Sequence, residues 1–492
     1  MLNTERVSLI YWTEELKTKT MHKFIPFLLC LFVFKGIAQD STLYTLTQCI
    51  DIALKNNLDV RTAELQEELA NARLQQARAS ALPYANAYAS QGINKGKSIN
   101  PYTNTFVNQE IITGQYGVNG GIVLFNGFNI VNTMRQNYFS HEAGKMDREQ
   151  AKMDITINVM LAYLQILNNQ SLLIQAASQV RVSESQVKRL SILETNNAAS
   201  PPVLYDTKGQ LANDKLMYIT SQSNLVSSKI ALERLLNLPL PATAKFEALD
   251  LSHELKPYEA TPEAVYSNAS ASMPLIKSAE LRRMSAVKNV HALRGQLFPT
   301  LSLTGSLGTN YSDAALAQKI IGVSNEGTDS YVMVNNNPVP VFSPQYQYQS
   351  DKISFSDQFQ NNLNSYVGLS LNIPVFNGLR TKTQLSIAKI NKWQAEAQQA
   401  ATTNRLKNNI QQAYNDMSVS YERYLVLEQQ VKDYIESFKI ATVKFEKGAI
   451  TTVDYLIAKT NIDRANINFI SSKYEYILKT KVLDYYMGKG NK

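Results

Sequence analysis

The sequence predicts a mostly helical protein with a transmembrane β-barrel contribution, built as a tandem repeat of helix, strand, strand and helix. Three observations predict it. Residues 115–127, QYGVNGGIVLFNG, alternate with period two: Tyr116, Val118, Gly120, Ile122 and Leu124 share one parity, and Gln115, Gly117, Asn119 and Gly121 the other. The pattern returns in residues 366–378, and both copies end in the same turn, Phe125-Asn126-Gly127 and Phe376-Asn377-Gly378. Each turn opens a proline-free stretch whose helix would be about 100 Å long at ~1.5 Å per residue.

The repeat runs through the chain at a near-constant offset. Pro83 and Pro299 stand 216 residues apart, as do Arg78 and Arg294. Beyond the next strand the offset is 251, matching Phe125 to Phe376 and Ala162-Tyr163 to Ala413-Tyr414. The extra 35 residues fall in 308–361, which is rich in Asn, Ser, Tyr and Gln and reads as a large surface loop.

In order, residues 1–39 form a leader region. Within it, 21–39 read as a signal peptide, with Lys23 before the apolar run FIPFLLCLFVF and a small-residue exit. Cys30 lies in that run behind Phe-Leu-Leu, not behind the small residues of a lipidation site; only Cys49 follows the leader, so no intramolecular disulfide is expected. The first repeat spans 40–237: short helices at 47–57 and 58–82, strands at 84–90 and 115–125, a long helix at 129–195, and a helix at 203–236 after the break NNAASPP. Residues 238–262, with their several prolines, read as a linker that reverses the chain, carrying a possible strand at 246–251. The second repeat spans 263–492: a helix at 273–298, strands at 300–307 and 366–376, a long helix at 381–447, a break at 448–452 and a helix at 453–487.

The net charge of +8 is spread along helical patterns without a dense basic block, so a nucleic-acid partner is not expected. The four His (22, 141, 253 and 291) are far apart and none has metal-ligand spacing, and there is no phosphate-binding loop; no catalytic residue, cofactor or metal is expected, and His141 reads as a surface residue.

Four strands per chain cannot close a barrel, and open edges are not tolerated in lipid. One apolar and one polar face suit either a soluble sandwich or a barrel with lipid outside and water inside. Export and helices too long for a compact domain favour the barrel, closed by further copies: eight strands from two chains or twelve from three. Two half-length helices stacked end to end can pair with one full-length helix, which gives a hollow helical wall. A solid coiled-coil stalk or adhesin without a pore is the alternative.

Taken together, the duplication, the Leu82-Pro83 and Phe298-Pro299 helix ends, the two Phe-Asn-Gly turns and the segments TLTQCIDIALKNNLDVRTAEL (45–65) and GAITTVDYLIAK (448–459) resemble the TolC-like outer-membrane efflux proteins. The resemblance covers nearly all of the chain beyond the leader. It implies a homotrimer whose twelve strands form one barrel in outer-membrane lipid. It also implies a periplasmic helical tunnel that docks through a periplasmic adaptor protein onto an inner-membrane efflux pump. Such a channel is passive and not an enzyme. The resemblance places adaptor docking at the helix–helix tips, here Gly448, Ala449 and Ile450 in the second repeat and Asn197 and Ala198 in the first, where Asn-Ala-Ala replaces the family's Gly. It implies a ring of acidic residues at the closed tunnel end. Asp454 falls on one such position and Asp206 is a weaker second candidate; Ile457 stands where a further carboxylate occurs in the family.

Overall fold

The computed structural model describes residues 43–99, 104–196, 200–241, 243–248 and 255–489. The leader and its expected cleavage site, tip residues Asn197 and Ala198, and residues 249–251 of the expected 246–251 strand lie outside them.

The first repeat runs β1 (Leu43–Tyr44), α1 (Leu46–Asn56), α2 (Leu58–Ala79), β2 (Tyr84–Ile99), β3 (Phe106–Phe125), α3 (Asn129–Thr195) and α4 (Pro201–Leu236). After β4 (Lys245–Phe246) come α5 (Pro262–Ser272), α6 (Pro274–Gly295), β5 (Thr300–Ser312), β6 (Leu316–Val334), β7 (Asn337–Lys352), α7 (Phe355–Asn361), β8 (Asn364–Asn372), α8 (Arg380–Glu446) and α9 (Thr452–Tyr486).

Local chemistry sets these limits. Thr45 caps α1 in a reciprocal capping box with Gln48, and Asn57 caps α2 through Asp59 and Val60. Pro201 and Pro202 occupy the first turn of α4, inside the helix and not ahead of it, because the missing N–H is unpaired there in any case. α5, which the sequence reading did not include, opens with the same device: Thr261 caps it and Pro262 begins it.

α3 and α8, 67 residues each, are the two full-length helices. α2 and α4 pack in succession along α3, and α6 and α9 along α8; α6 and α9 also touch α3. Where the half-length helices meet, a belt of apolar clusters holds the repeats. In the first, Cys49, Val60, Val159, Tyr163, Ile166, Leu232 and Phe246 are buried. In the second, Val265, Ala269, Leu406, Ile410, Tyr476 and Leu483 are. β1 pairs in parallel with β4, and the Tyr163 hydroxyl donates to the Tyr44 and Glu247 carbonyls, each at 2.9 Å. Cys49 is a free, buried thiol.

Four strands form an antiparallel sheet in the order β2-β3-β5-β8. Three outgrow the expected ends. β2 and β3 continue past 90 and start before 115, extending their mutual ladder to Ile99↔Phe106, and β5 continues past 307 to Ser312 because β3 is long enough to pair with it there. β8 instead stops at Asn372, short of 376, since Pro374 cannot continue the ladder. The stretch 308–361 is a correction of kind. It is not an irregular loop but a two-stranded hairpin, β6 and β7, turned at Asn335-Asn336 and followed by α7. Both asparagines have positive φ, +50° and +67°, as a two-residue hairpin turn requires. Gln358 of α7, buried, ties the insertion down through hydrogen bonds to Ser312 N and O and to Ile353 O.

Candidate functional site: the sheet, the junction and the helix tips

The register sorts the sheet into two faces. Tyr116, Val118 and Ile122 on β3 stand across from Thr309, Leu307 and Leu303 on β5; Leu303 and Leu301 stand across from Leu369 and Leu371 on β8. Val118, Leu307, Val367, Leu369 and Leu371 are exposed on this apolar face. The opposite face carries Asn86, Ser90, Asn119, Ser302, Thr304, Ser306, Ser370 and Asn372. Tyrosines on it lie over glycines: Tyr84 stands across from Gly121, Tyr88 from Gly117. A Cβ on Gly117 would meet the Tyr88 hydroxyl at 2.7 Å, which explains the glycine there. Strands of nine to thirteen residues (β8 and β5) have the length that crosses a bilayer at a tilt.

Each Phe-Asn-Gly turn carries the chain from sheet to long helix. Gly127 and Gly378 both have φ +64°, and the following Phe128 and Leu379 are also left-handed. At the first turn Asn126 Oδ1 accepts from Ile130 N, and Asn129 Nδ2 donates to Ala292 O at 2.7 Å. A Cβ on Gly127 would collide with the backbone of Gly295, and one on Gly295 would press on Gly127 O in return. The second turn is bare: nothing lies within 4 Å of a Cβ on Gly378, and Val375 and Phe376 are 91% and 81% exposed. Here Asn377 donates to Thr381 Oγ1 at 2.6 Å, so the turn holds its own shape. The sequence reading found both turns and missed Gly295, whose counterpart at an offset of 216 is Ala79.

At the far end of the helices the second tip is fully capped. Gly448, with φ +69°, lets Ala449 N reach Lys444 O at 2.8 Å and Gly448 N reach Phe445 O at 3.0 Å, a left-handed helix stop. Ile450 follows, half-buried. Thr451 then caps α9: its Oγ1 accepts from Asp454 N at 3.1 Å, and Asp454 Oδ2 accepts from Thr451 N at 3.2 Å and from Thr451 Oγ1 at 2.7 Å. Beneath the tip, Tyr455 is buried and stacks on Phe445 with centroids 4.6 Å apart. Arg189 of α3 reaches Glu446 of α8 at 3.0 Å.

Asp206 lies elsewhere. It lines an open groove between α4 and α9, as does Ile457. The 251-residue offset explains this, because it maps Asp206 onto Ile457 and Asp454 onto Val203. One chain therefore does not bring Asp454 and Asp206 to equivalent places.

A buried charged cluster that the sequence reading missed joins α4, α3 and α9 above this groove. Lys459 Nζ contacts Asp214 Oδ2 at 3.0 Å and Asp463 Oδ2 at 2.7 Å, and its side chain is only 3% exposed. Ser183 Oγ donates to Asp214 Oδ2, and Gln210 Nε2 to Asp214 Oδ1 at 2.8 Å. Burial pushes the Asp463 carboxyl above its ordinary range, opposed by the Lys459 ammonium. A signal existed in the i,i+4 spacing of Lys459 and Asp463, but nothing in the sequence pointed to Asp214, 245 residues away.

His141 is not the surface residue expected; its half-buried ring lies 3.7 Å from Glu67, which also pairs with Arg148. Among the described residues no group of three or more His, Cys, Asp or Glu could hold a metal, and no helix is long and apolar enough to cross a membrane.

The profile of a family described as Outer membrane efflux protein matches residues 49–238 and 265–489. Among curated relatives, the chain is 23% identical over 435 residues to "Probable outer membrane lipoprotein SilC" of Salmonella typhimurium, covering 85% of this chain and 79% of that one. It is 24% identical over 322 residues to the solvent efflux pump outer membrane protein SrpC of Pseudomonas putida, 61% of each chain. Among solved structures, a membrane protein from Pseudomonas aeruginosa superposes with a TM-score of 0.72 at 18% identity, over 90% of both chains. The CmeC outer membrane channel of Campylobacter jejuni does so with a TM-score of 0.71 at 19% identity, over 90% of this chain and 86% of that one. With its helices, sheet and duplicated plan all matched, the chain belongs to the outer membrane efflux protein family, and its place is the outer membrane.

Proposed function

We propose that three copies close into one passive conduit. A twelve-stranded barrel spans the outer membrane, and a helical tunnel descends from it toward an adaptor and an inner-membrane pump that supplies the energy. One observation carries this reading. The sheet β2-β3-β5-β8 and the helical row α2, α3, α6, α8 run side by side, and both end at the same two places. At one side β2 has a free edge and α2 exposes Leu65 and Leu69; at the other β8 has a free edge and α8 exposes Ile387, Ile390 and Trp393. Unpaired edges and bare apolar stripes on matching flanks call for a neighbour that offers the opposite flank. The strands alternate in direction, so β8 of one copy and β2 of the next are antiparallel, and the ring can close.

In this reading the apolar face meets lipid and the Asn-, Ser- and Thr-bearing face lines water. The tips Gly448, Ala449, Ile450, Asn197 and Ala198 meet the adaptor. Asp454 and Asp206 are the carboxylates offered to the narrow end. Because Asp454 also closes a capping box, its charge would do two jobs. The pump, not this conduit, chooses the cargo.

Single-channel recording in a planar bilayer, with mass determination in detergent, tests the reading. Three chains per particle and steady ohmic conductance are expected. A non-conducting rod would favour the coiled-coil or adhesin alternative.

A further inference from the structure

The insertion that distinguishes the second repeat carries a surface its own chain leaves uncovered. β6 and β7 pair with one another over nearly their whole length, and among the described residues neither has an extensive contact with any other strand or helix. A lone two-stranded ribbon is marginally stable in water at best. This one is about 50 Å long, at ~3.3 Å per residue.

Its two faces differ sharply. Register places Tyr348 opposite Ile320, Tyr346 opposite Val323, Phe342 opposite Gly327, Pro340 opposite Tyr331 and Pro338 opposite Met333. From Tyr348 to Pro338 the paired side chains on that face are apolar or aromatic apart from Asn325, and none is charged; toward the root the face continues with Gln318 opposite Ser350 and Leu316 opposite Lys352. The large ones are about half exposed or more. The opposite face pairs Lys319 with Gln349, Ser324 with Gln345, Glu326 with Ser343 and Ala317 with Asp351. That second face is polar from the root to Glu326, and nearer the turn it carries Val332 opposite Val339.

We propose that the aromatic face is covered by the hairpins of neighbouring copies, so that three hairpins pack face to face outside the membrane as an extension of the conduit. The proposal rests on the trimeric reading above. The hairpin is rooted between β5 and β8, and β8 is the strand whose free edge forms the seam with the next copy. Four aromatic side chains that bury about 150–250 Å² each when fully covered are about half exposed here, so they leave on the order of 400 Å² to cover, about half of one side of a specific interface. Pro338, Pro340 and Pro344 lack the N–H that an added strand would pair with on β7, which favours contact by faces over edge-on addition. Paired positions on the aromatic face hold one Lys or Arg, Lys352 at the root, and a single cation argues against anionic lipid headgroups as the cover of the whole face.

Single cysteines in the full chain test this, since native Cys49 is buried. Phe342→Cys and, on the opposite face, Gln345→Cys are treated with a short bis-maleimide in the detergent-solubilised particle. Cross-linked pairs are expected from Phe342→Cys and not from Gln345→Cys. A three-chain particle in which Phe342→Cys stays unlinked overturns the hairpin contact alone. A single-chain particle overturns the assembly and the contact with it. Labelling of Phe342→Cys by a membrane-dissolved maleimide in place of cross-linking moves the face to the outer leaflet and also overturns the proposal.

Discussion

The two repeats differ most where they should be most alike. Gly127 and Gly378 have the same φ and are both preceded by Phe-Asn, yet Gly127 is pressed against Gly295 and a Cβ on Gly378 would meet nothing within 4 Å. Lys459 and Lys208 correspond at an offset of 251. Lys459 is enclosed by two carboxylates, whereas Lys208 is exposed over the Tyr205 ring, 5.1 Å from its centroid. The first turn and the last helix lie in the middle of the chain's own array; the second turn and α4 lie at its flanks. What the middle supplies from within, the flanks leave for another copy, so the inner contacts are a template for the outer ones. In the proposed ring, Ala79, the counterpart of Gly295, is the residue of the next copy that would face Gly378.

The lysine pair gives the largest contrast. Lys459→Met leaves Asp214 and Asp463 buried without their cation and is expected to destabilise by about 3–5 kcal/mol, while Lys208→Met stays within about 0.5 kcal/mol. Thermal denaturation of the two variants measures the difference, and equal losses would break the comparison.

Next come the glycines. Gly127→Ala meets both a left-handed φ and a collision; Gly378→Ala meets the φ alone within one chain, a strain of about 1–3 kcal/mol. In chains dissociated by detergent, Gly127→Ala should lower the melting temperature more. In the assembled particle the gap should narrow, because a neighbour then crowds Gly378. A gap of the same size in both states would mean that the second turn stays bare.

The pH dependence sharpens the buried side. Asp463 has a raised folded pKa, so the native tip holds its proton more tightly than the unfolded chain does. Its stabilising contribution is therefore present below the ordinary carboxylate range and is lost as pH rises through the folded value. Above about pH 4, Asp463→Asn should flatten the decline of melting temperature that the unsubstituted chain shows. A parallel decline in both would assign the slope to other groups.

Smallest in stability is Asp454→Asn. An amide oxygen can still accept from Thr451 N, so the expected loss is about 0.5 kcal/mol or less. Removing the charge should nonetheless change cation selectivity or unit conductance. Unchanged conductance with a larger loss of stability would leave Asp454 as a cap alone.

Periodicity and the repeat offset made much of this fold legible. Alternation exposed the strands, proline-free runs exposed the long helices, and the Phe-Asn-Gly turns marked the junctions. The hairpin at 316–352 was written in the sequence too, as alternating Pro, Phe and Tyr on β7 and an Asn-Asn turn, but its composition read as loop. Gly295 and Asp214 were not legible, for a different reason. Each matters through one partner distant in sequence, and neither has a like residue at the repeat offset to betray it: Ala79 stands for Gly295, and Ala465 for Asp214.

The two free sheet edges also govern how the channel is born. In hydrocarbon an unpaired strand edge costs several kcal/mol for each unsatisfied group, so a lone chain gains nothing by entering the bilayer with β2 and β8 open. For the proposed three-chain barrel, membrane entry and subunit association are thereby a single event, and its rate rises steeply with the number of chains waiting in the periplasm. While they wait, the same edges are templates for the wrong partner. A cell making this protein must either keep the waiting pool small or shield β2 and β8 until three chains arrive together.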